Sequence, residues 1–270
     1  MSPKFAFVFP GQGSQYVEMG KALYEAFAEA KAVFEAADDA LHEKLSSVCF
    51  EGPDEKLKLT ATTQPAILTV SMAVHAVFAK ALGETPTLVA GHSLGEYSAL
   101  VAAGAIPLGQ AVTAVRARGT FMQEAVKPGV GAMAAVLGLS AEKIREVCVE
   151  AAQGEIVSVA NLNEPMQTVI AGHATAVARA EALLKTGGAK RTILLPVSAP
   201  FHCALMEPVV ARLDPVLSAI TFGELRVPVV SNVEATSNRD RQRIRELLLR
   251  QVTAPVRWTE CIAAMEREGI

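Results

Sequence analysis

Residues 87–103 have the sequence TLVAGHSLGEYSALVAA, and this stretch decides the fold. Residues 87–90 are a short apolar run typical of a buried strand, residues 91–95 form a tight turn, and a helix begins at residue 96. The turn matches the pattern G-x-S-x-G, which places Ser93 at the end of the strand and in front of the helix. The N–H dipoles of that helix would stabilise negative charge beside the hydroxyl. A strand-turn-helix junction without a chemical role is the alternative.

Strand and helix patterns alternate on both sides of this stretch. Residues 4–9 predict a strand that ends at the Gly-rich turn PGQGSQ of residues 10–15, and residues 16–45 have helical periodicity. A helix over 62–82 is predicted to begin with a threonine cap at Thr62 or Thr63. Further helices are predicted near 108–125, 204–219, 239–250 and 258–267, with a strand over 227–231. We therefore predict an α/β fold with an α/β-hydrolase-like core around a parallel sheet.

The middle of the chain has a pattern of its own. Strands are predicted at 132–137, 156–160, 168–171 and 192–195, with helices at 140–152, capped by Ser140, and at 174–185. Asn161 and Asn163 are expected to shape the turn before Pro165. The order β-α-β-β-α-β is the ferredoxin-like pattern. We predict a ferredoxin-like subdomain over 127–197, inserted into a discontinuous catalytic domain of residues 1–126 and 198–270.

Composition excludes several classes of protein. The 270 residues are 51% hydrophobic with a net charge of −3, which argues against bulk binding of nucleic acid. The four cysteines are far apart and form no C-x-x-C pair, so we expect no disulfide framework and no metal site. The uncharged stretches 60–79 and 97–115 contain polar residues, Pro and Gly, which favour buried helices over membrane spans. With no leader pattern at the N-terminus, a cytoplasmic protein is expected.

A serine nucleophile needs a base, and histidine is the usual one. The position of each histidine gives an expectation for its role. The five are His42 in a charged helical segment, His75 in an apolar helix, His92 beside the serine, His173 at a turn and His202 in the loop APFHC of residues 199–203. A loop residue at a strand end can reach the nucleophile. We therefore expect His202 to be the base.

Five motifs together resemble a known family. They are PGQGSQ (10–15), GHSLGE (91–96), RARG (116–119), VANLN (159–163) and APFH (199–202). The chain resembles malonyl-CoA:acyl-carrier-protein transacylases, and also the acyltransferase domains of fatty-acid and polyketide synthases. The resemblance covers essentially the whole chain, in order, except that such relatives continue for a few tens of residues with a Gly-Pro-Gly-containing strand and a helix.

The resemblance implies roles for individual residues. It implies a nucleophile at Ser93, a base at His202, and an arginine at Arg118 that holds the free carboxylate of a malonyl group. It further implies oxyanion donors at Gln12 and the Leu94 N–H, and a Gln251 backbone carbonyl that orients the histidine. The substrate site would also contain a bulky aromatic of the malonyl-selecting type, Phe201, together with His92, Met122 and Asn161.

The implied reaction is ping-pong transfer of malonyl from malonyl-CoA to acyl carrier protein. Coenzyme A thioester is then a substrate and no cofactor is expected, and the expected form is a monomer without nucleic-acid or membrane partners. Lys190 and Arg191 are candidate contacts for an acidic carrier protein. The alternatives are an acyltransferase domain of a polyketide synthase, a serine thioesterase or hydrolase, and a non-catalytic carrier-binding homologue.

From the residues alone, three of these positions allow simpler interpretations. Arg118 could be a surface arginine on an amphipathic helix. Gln12 could be only a turn residue, and its glycine neighbours lack the full patterns of a nucleotide-binding loop. Gln251 could be a helix-end residue with no chemical role. In addition, Cys203, beside the histidine, is expected to be a packed thiol and not a second nucleophile.

Overall fold

The structure is a computed structural model that describes residues 4–197 and 199–270. The first three residues and the predicted boundary at residue 198 lie outside the described residues. The strands of the described residues are β1 (Ala6–Phe9), β2 (Leu88–Gly91), β3 (Gly131–Leu137), β4 (Val157–Glu164), β5 (Gln167–His173), β6 (Arg191–Leu194), β7 (Val229–Val230) and β8 (Ser237–Asn238). The α-helices are α1 (Lys21–Ala26), α2 (Ala28–Leu41), α3 (Leu45–Glu51), α4 (Asp54–Leu57), α5 (Thr60–Leu82), α6 (Leu94–Ala102), α7 (Leu108–Glu124), α8 (Ala141–Ala152), α9 (Ala174–Thr186), α10 (Glu207–Ser218), α11 (Ile244–Thr253) and α12 (Trp258–Arg267), with 3-10 turns at Ala204–Met206 and Arg241–Arg243.

The first sheet has the order β1-β2-β7-β8. Strands β1, β2 and β7 are parallel, and β8 is antiparallel to β7. Successive side chains of β2 point to opposite faces, and both faces are covered. Val89 packs in the same cluster as Leu94 of α6, whereas Leu88 and Ala90 pack with Cys261 of α12. The predicted α/β class and the parallel core sheet are therefore confirmed.

The second sheet has the order β4-β5-β3-β6, and its strands are antiparallel. Helices α8 and α9 bury Ile144 and Val177 in one cluster with Ile170 of β5. The Ser140 side chain caps α8 by accepting a hydrogen bond from the Lys143 N–H (3.3 Å). The predicted β-α-β-β-α-β pattern and this cap are confirmed, while the residue limits 127 and 197 stay a prediction.

Main-chain hydrogen bonds join the second sheet to the segment between α11 and α12. The Leu162 N–H donates to the Val256 carbonyl, and the Val256 N–H donates to the Ala160 carbonyl, both at 2.9 Å. The Thr259 hydroxyl also donates to the Leu162 carbonyl (3.0 Å). Strand β4 thereby brings Asn161 beside the end of α11.

Two local predictions were wrong. Helix α5 begins at Thr60 with Leu59 at its N-cap, because the Thr62 and Thr63 N–H groups donate to the Leu59 carbonyl and not to a threonine hydroxyl. Asn161 and Asn163 lie inside β4 and not in a turn, since pairing with β5 continues to Glu164 through two register shifts. Tertiary pairing overrides the local turn preference of asparagine there.

Helix α5 is long and apolar enough to cross a membrane by length and composition. The helix packs against α2 and α7, and its buried positions lie between Thr60 and Ala73. The core helix of a globular domain has the same length and composition, so this feature alone does not indicate a membrane span.

Candidate active site

The serine of the G-x-S-x-G turn lies at the junction of β2 and α6. Ser93 has φ 51° and ψ −106°, a conformation that L residues rarely adopt. The flanking glycines make this turn possible. A Cβ at Gly91 would overlap the Gly95 carbonyl, and a Cβ at Gly95 would overlap the Phe9 carbonyl. The chain therefore turns sharply at the end of a buried strand and presents the hydroxyl.

The side chain of His202 reaches this hydroxyl from the loop before α10. Its Nε2 lies 2.7 Å from the Ser93 Oγ, and its Nδ1 lies 2.8 Å from the Gln251 carbonyl oxygen. Because a carbonyl can only accept, Nδ1 carries the proton and Nε2 is free to accept one from the serine. Of the five histidines, His202 is the one within hydrogen-bond distance of Ser93 in the described residues.

The imidazole of His202 is only 4% exposed. Burial and, next, the charge of Arg118 lower its pKa to about 3. The lowered pKa keeps the ring neutral near pH 7, which is the form a general base requires.

The neighbouring His92 has a different environment. Its Nε2 lies 2.9 Å from the Asn163 Oδ1, and its ring packs edge-on against Trp258. Burial lowers its pKa. His92 is adjacent to the serine in sequence, but its polar contact is with the subdomain strand β4.

The guanidinium of Arg118 on α7 faces the serine from the other side. Nη2 lies 3.2 Å from the Ser93 Oγ, and the side chain is 1% exposed, so the surface interpretation of this residue is wrong. Its other hydrogen bonds in the described residues are to the amide oxygens of Gln64 (2.8 Å) and Gln251 (3.0 Å). A buried cation held by neutral oxygens retains its attraction for a carboxylate.

A cavity of about 100 Å³ brings these groups together. Its lining contains most of the residues that the sequence assigned to the site, namely Gln12, His92, Ser93, Leu94, Arg118, Met122, Asn161, Phe201 and His202. The Leu94 N–H is at the first position of α6, where helical N–H groups lack an intrahelical acceptor. Gln251 is fully buried behind the cavity and contacts both the histidine and the arginine.

Lys190 and Arg191 lie elsewhere. Both are exposed, and Arg191 pairs with Leu137 at one end of β3. The cavity lies at the other end of that strand, where Met133 lines it. The two basic residues do not contribute to the cavity, and their contact with a carrier protein stays a prediction.

Several buried polar residues were missed by the sequence reasoning. Gln64 on α5 lines the cavity, and its side-chain oxygen accepts a hydrogen bond from Arg118. Asn232, in the loop after β7, accepts a hydrogen bond from the Ser93 N–H (2.7 Å). Glu96 on α6 contacts Asn232 and Gln251. The one signal for this support in the sequence was the glutamate immediately after the G-x-S-x-G pattern.

Comparison with known proteins gives the class. The family model described as "Acyl transferase domain" matches residues 6–270. Together with a serine at a strand-helix turn that contacts a histidine, this match places the chain among the acyltransferases.

The individual relatives indicate a more specific family within this class. The chain is 51% identical to the malonyl CoA-acyl carrier protein transacylase of Bacillus subtilis (strain 168), over 99% of this chain and 84% of the relative. It is 48% identical to that of Escherichia coli (strain K12), over 99% and 86%. The chain belongs to the malonyl-CoA:acyl-carrier-protein transacylase family.

Solved structures agree with this assignment. The transacylase from Coxiella burnetii superposes with a TM-score of 0.97 at 45% identity, over 99% of this chain and 85% of that one. A malonyl-transacylase in complex with a type II PKS acyl-carrier protein has a TM-score of 0.96 at 47% identity, over 99% and 86%.

Proposed function

We propose that this acyltransferase moves a malonyl group from malonyl-CoA to the phosphopantetheine thiol of acyl carrier protein through a Ser93 acyl-enzyme. One observation carries the proposal. In a single cavity, the Ser93 hydroxyl lies 2.7 Å from a neutral imidazole and 3.2 Å from a buried guanidinium. This arrangement supports the assignment of a nucleophile, its base and an anchor for a free carboxylate around one reacting atom.

In the first half-reaction, the Ser93 oxygen attacks the thioester carbonyl and its proton passes to the His202 Nε2. The Leu94 N–H and Gln12 would stabilise the oxyanion, which is worth about 3–4 kcal/mol for each donor of this kind. The C–S bond then breaks, and the coenzyme A sulfur takes the proton back from the imidazolium. The second half-reaction runs the same steps in reverse order with the carrier thiol as nucleophile.

Arg118 supplies the preference for malonyl. A planar guanidinium can bind the free carboxylate of malonyl through two parallel hydrogen bonds. Acetyl has no carboxylate, so it would leave the buried cation unpaired. The same buried arginine disfavours a general thioesterase or hydrolase, whose acyl groups are uncharged.

The cellular context is also part of the proposal. We infer that the protein acts in the cytoplasm as a monomer, with coenzyme A thioester as substrate and no further cofactor, metal, nucleic acid or membrane partner. The cysteine pattern and the charge balance support this context. The carrier serves either fatty acid or polyketide synthesis, since one solved relative is in complex with a type II PKS acyl-carrier protein.

Intact mass spectrometry tests the proposed function directly. After incubation with malonyl-CoA and no carrier, the protein should gain the mass of one malonyl group, and Ser93→Ala should gain none. Ser98→Ala, at a buried serine within the helix α6 that follows Ser93, is the matched control and should still form the adduct. A malonyl adduct on Ser93→Ala, or its absence from the wild type, would reject the assignment.

The Phe201→Ser variant tests acyl selectivity. Phe201 lines the cavity immediately before His202, so removing its ring makes room for the α-methyl group of methylmalonyl. We expect kcat/KM for methylmalonyl-CoA relative to malonyl-CoA to rise at least about tenfold, which is the usual effect of one methyl group in an apolar pocket. Phe222→Ser, at a partly buried aromatic outside the cavity, should leave the ratio unchanged. An unchanged ratio in Phe201→Ser would remove this residue from the specificity determinants.

A further inference from the structure

Glu96 is a buried carboxyl group that the proposed reaction does not use. It lies three residues after Ser93 on α6 and is 3% exposed. Its Oε2 accepts hydrogen bonds from the Asn232 N–H (3.0 Å) and from the Gln251 Nε2 (2.7 Å). Burying a carboxyl group is costly, so a carboxyl retained beside a reactive centre requires a physical explanation.

The two partners of Glu96 hold the serine turn. Asn232 accepts from the Ser93 N–H (2.7 Å) and donates to the Gly91 carbonyl (2.8 Å). The Gln251 Nε2 also donates to the Ser93 carbonyl (3.1 Å). Both peptide groups of the strained residue are therefore bonded to side chains of the two residues that Glu96 contacts, Asn232 through its main-chain N–H and Gln251 through its side-chain amide.

Gln251 also connects Glu96 to the arginine. Its Oε1 accepts from the Arg118 Nη2 (3.0 Å), while its Nε2 donates to Glu96 (2.7 Å). One amide group thus separates the carboxyl group from the guanidinium. In the described residues, Arg118 has no hydrogen bond to a carboxylate. The negative charge that offsets its positive charge therefore lies one amide group away, and the guanidinium still lines the cavity.

The pKa values of this cluster agree with a role for Glu96 in offsetting the charge of Arg118. Burial raises the pKa of Glu96 to about 7, while the hydrogen bonds from Asn232 and Gln251 and the charge of Arg118 lower it. The neighbouring titratable groups are Tyr97 and Cys261, each with a pKa raised by burial to about 12. Glu96 is therefore the group of this cluster that changes charge between pH 6 and pH 8.5.

We propose that Glu96 is a positioning residue and the counter-charge of Arg118, acting through the Gln251 amide to moderate how strongly the site holds the malonyl carboxylate. This inference rests on the proposed malonyl transfer. A direct Glu–Arg ion pair would compete with the substrate carboxylate for the guanidinium. With an amide group between them, Glu96 leaves the guanidinium free to bind the substrate carboxylate. Its charge still weakens the attraction of the guanidinium for that carboxylate.

The test compares malonyl-CoA with acetyl-CoA as acyl donors at pH 8.5 in Glu96→Gln. Glutamine keeps the size and an acceptor oxygen but removes the charge. KM for malonyl-CoA should fall, and the malonyl-to-acetyl ratio of kcat/KM should rise about three- to tenfold, while the acetyl-CoA values stay within about twofold. Glu246→Gln, the same change at an exposed position of α11, should leave the ratio at the wild-type value. A merely structural role would lower the values for both donors alike.

The wild-type protein provides a second measurement if Glu96→Gln does not fold. As pH rises from 6 to 8.5, Glu96 gains its charge, so the malonyl-to-acetyl ratio should fall. His202, with its pKa lowered to about 3, stays neutral over this range and does not contribute to the change. A folded Glu96→Gln with the wild-type ratio, or a wild-type ratio that is flat with pH, would overturn the inference. Absence of malonyl transfer by the wild type would instead reject the proposed function.

Discussion

His202→Ala should lower kcat for malonyl transfer by about 10²–10⁴-fold, the usual contribution of a general base. The Nε2 of this residue lies 2.7 Å from the Ser93 hydroxyl and accepts its proton in the proposed mechanism, so alanine would leave the serine without a base. KM for malonyl-CoA should change only a few-fold, because Arg118 and the cavity wall remain. The rate of acylation in a single turnover is measured by mass spectrometry. Thermal unfolding shows whether the variant is folded.

Cys203→Ala is the matched control for this loop. The thiol is buried next to the histidine, its Sγ donates to the Pro200 carbonyl, and burial raises its pKa to about 11. A thiol in this state is not a nucleophile near pH 7, so the variant should retain nearly full activity. A His202→Ala protein with a rate within tenfold of the wild type would mean that another group takes the serine proton.

The serine turn was predictable because its determinants are local. Five consecutive residues specify it, and the two glycines are required by overlaps with the Gly95 and Phe9 carbonyls. The ferredoxin-like pattern was predictable for a similar reason, since each strand and helix has its own periodicity and Ser140 marks the start of α8. Patterns of this kind survive in a single sequence because they depend on neighbours along the chain.

The support around the site could not be predicted in the same way. Asn232 binds the serine N–H across 139 residues of sequence, and Gln64 binds the arginine across 54. A single asparagine in a loop or a single glutamine within a helix carries no pattern of its own, so only the folded chain shows its role. Strand β8, with two residues, is likewise too short for a periodicity. Gln251 was assigned through family resemblance alone, because a backbone carbonyl that orients a histidine leaves no side-chain signature.

Arg118→Ala should reverse the preference of the enzyme between acyl donors. A hydrogen bond to a charged group is worth about 1.5–3 kcal/mol, so kcat/KM for malonyl-CoA should fall by about 10- to 100-fold. For acetyl-CoA it should stay constant or rise, because removing the buried cation also removes the penalty for leaving it unpaired. Arg118→Lys should recover only part of the malonyl rate, because an ammonium group keeps the charge but loses the planar pair of donors.

The neighbouring Arg116 separates a specific anchor from a general effect of positive charge. It lies two residues earlier on α7, is partly exposed and pairs with Glu43 outside the cavity, so Arg116→Ala should preserve the selectivity of the wild type. The rates with both acyl donors and the thermal unfolding of each variant distinguish a specific anchor from a general effect of charge. If Arg118→Ala lost activity toward both donors equally while remaining folded, the guanidinium would serve only to hold Gln64 and Gln251 in place, and selectivity for malonyl would have to arise from the shape of the cavity.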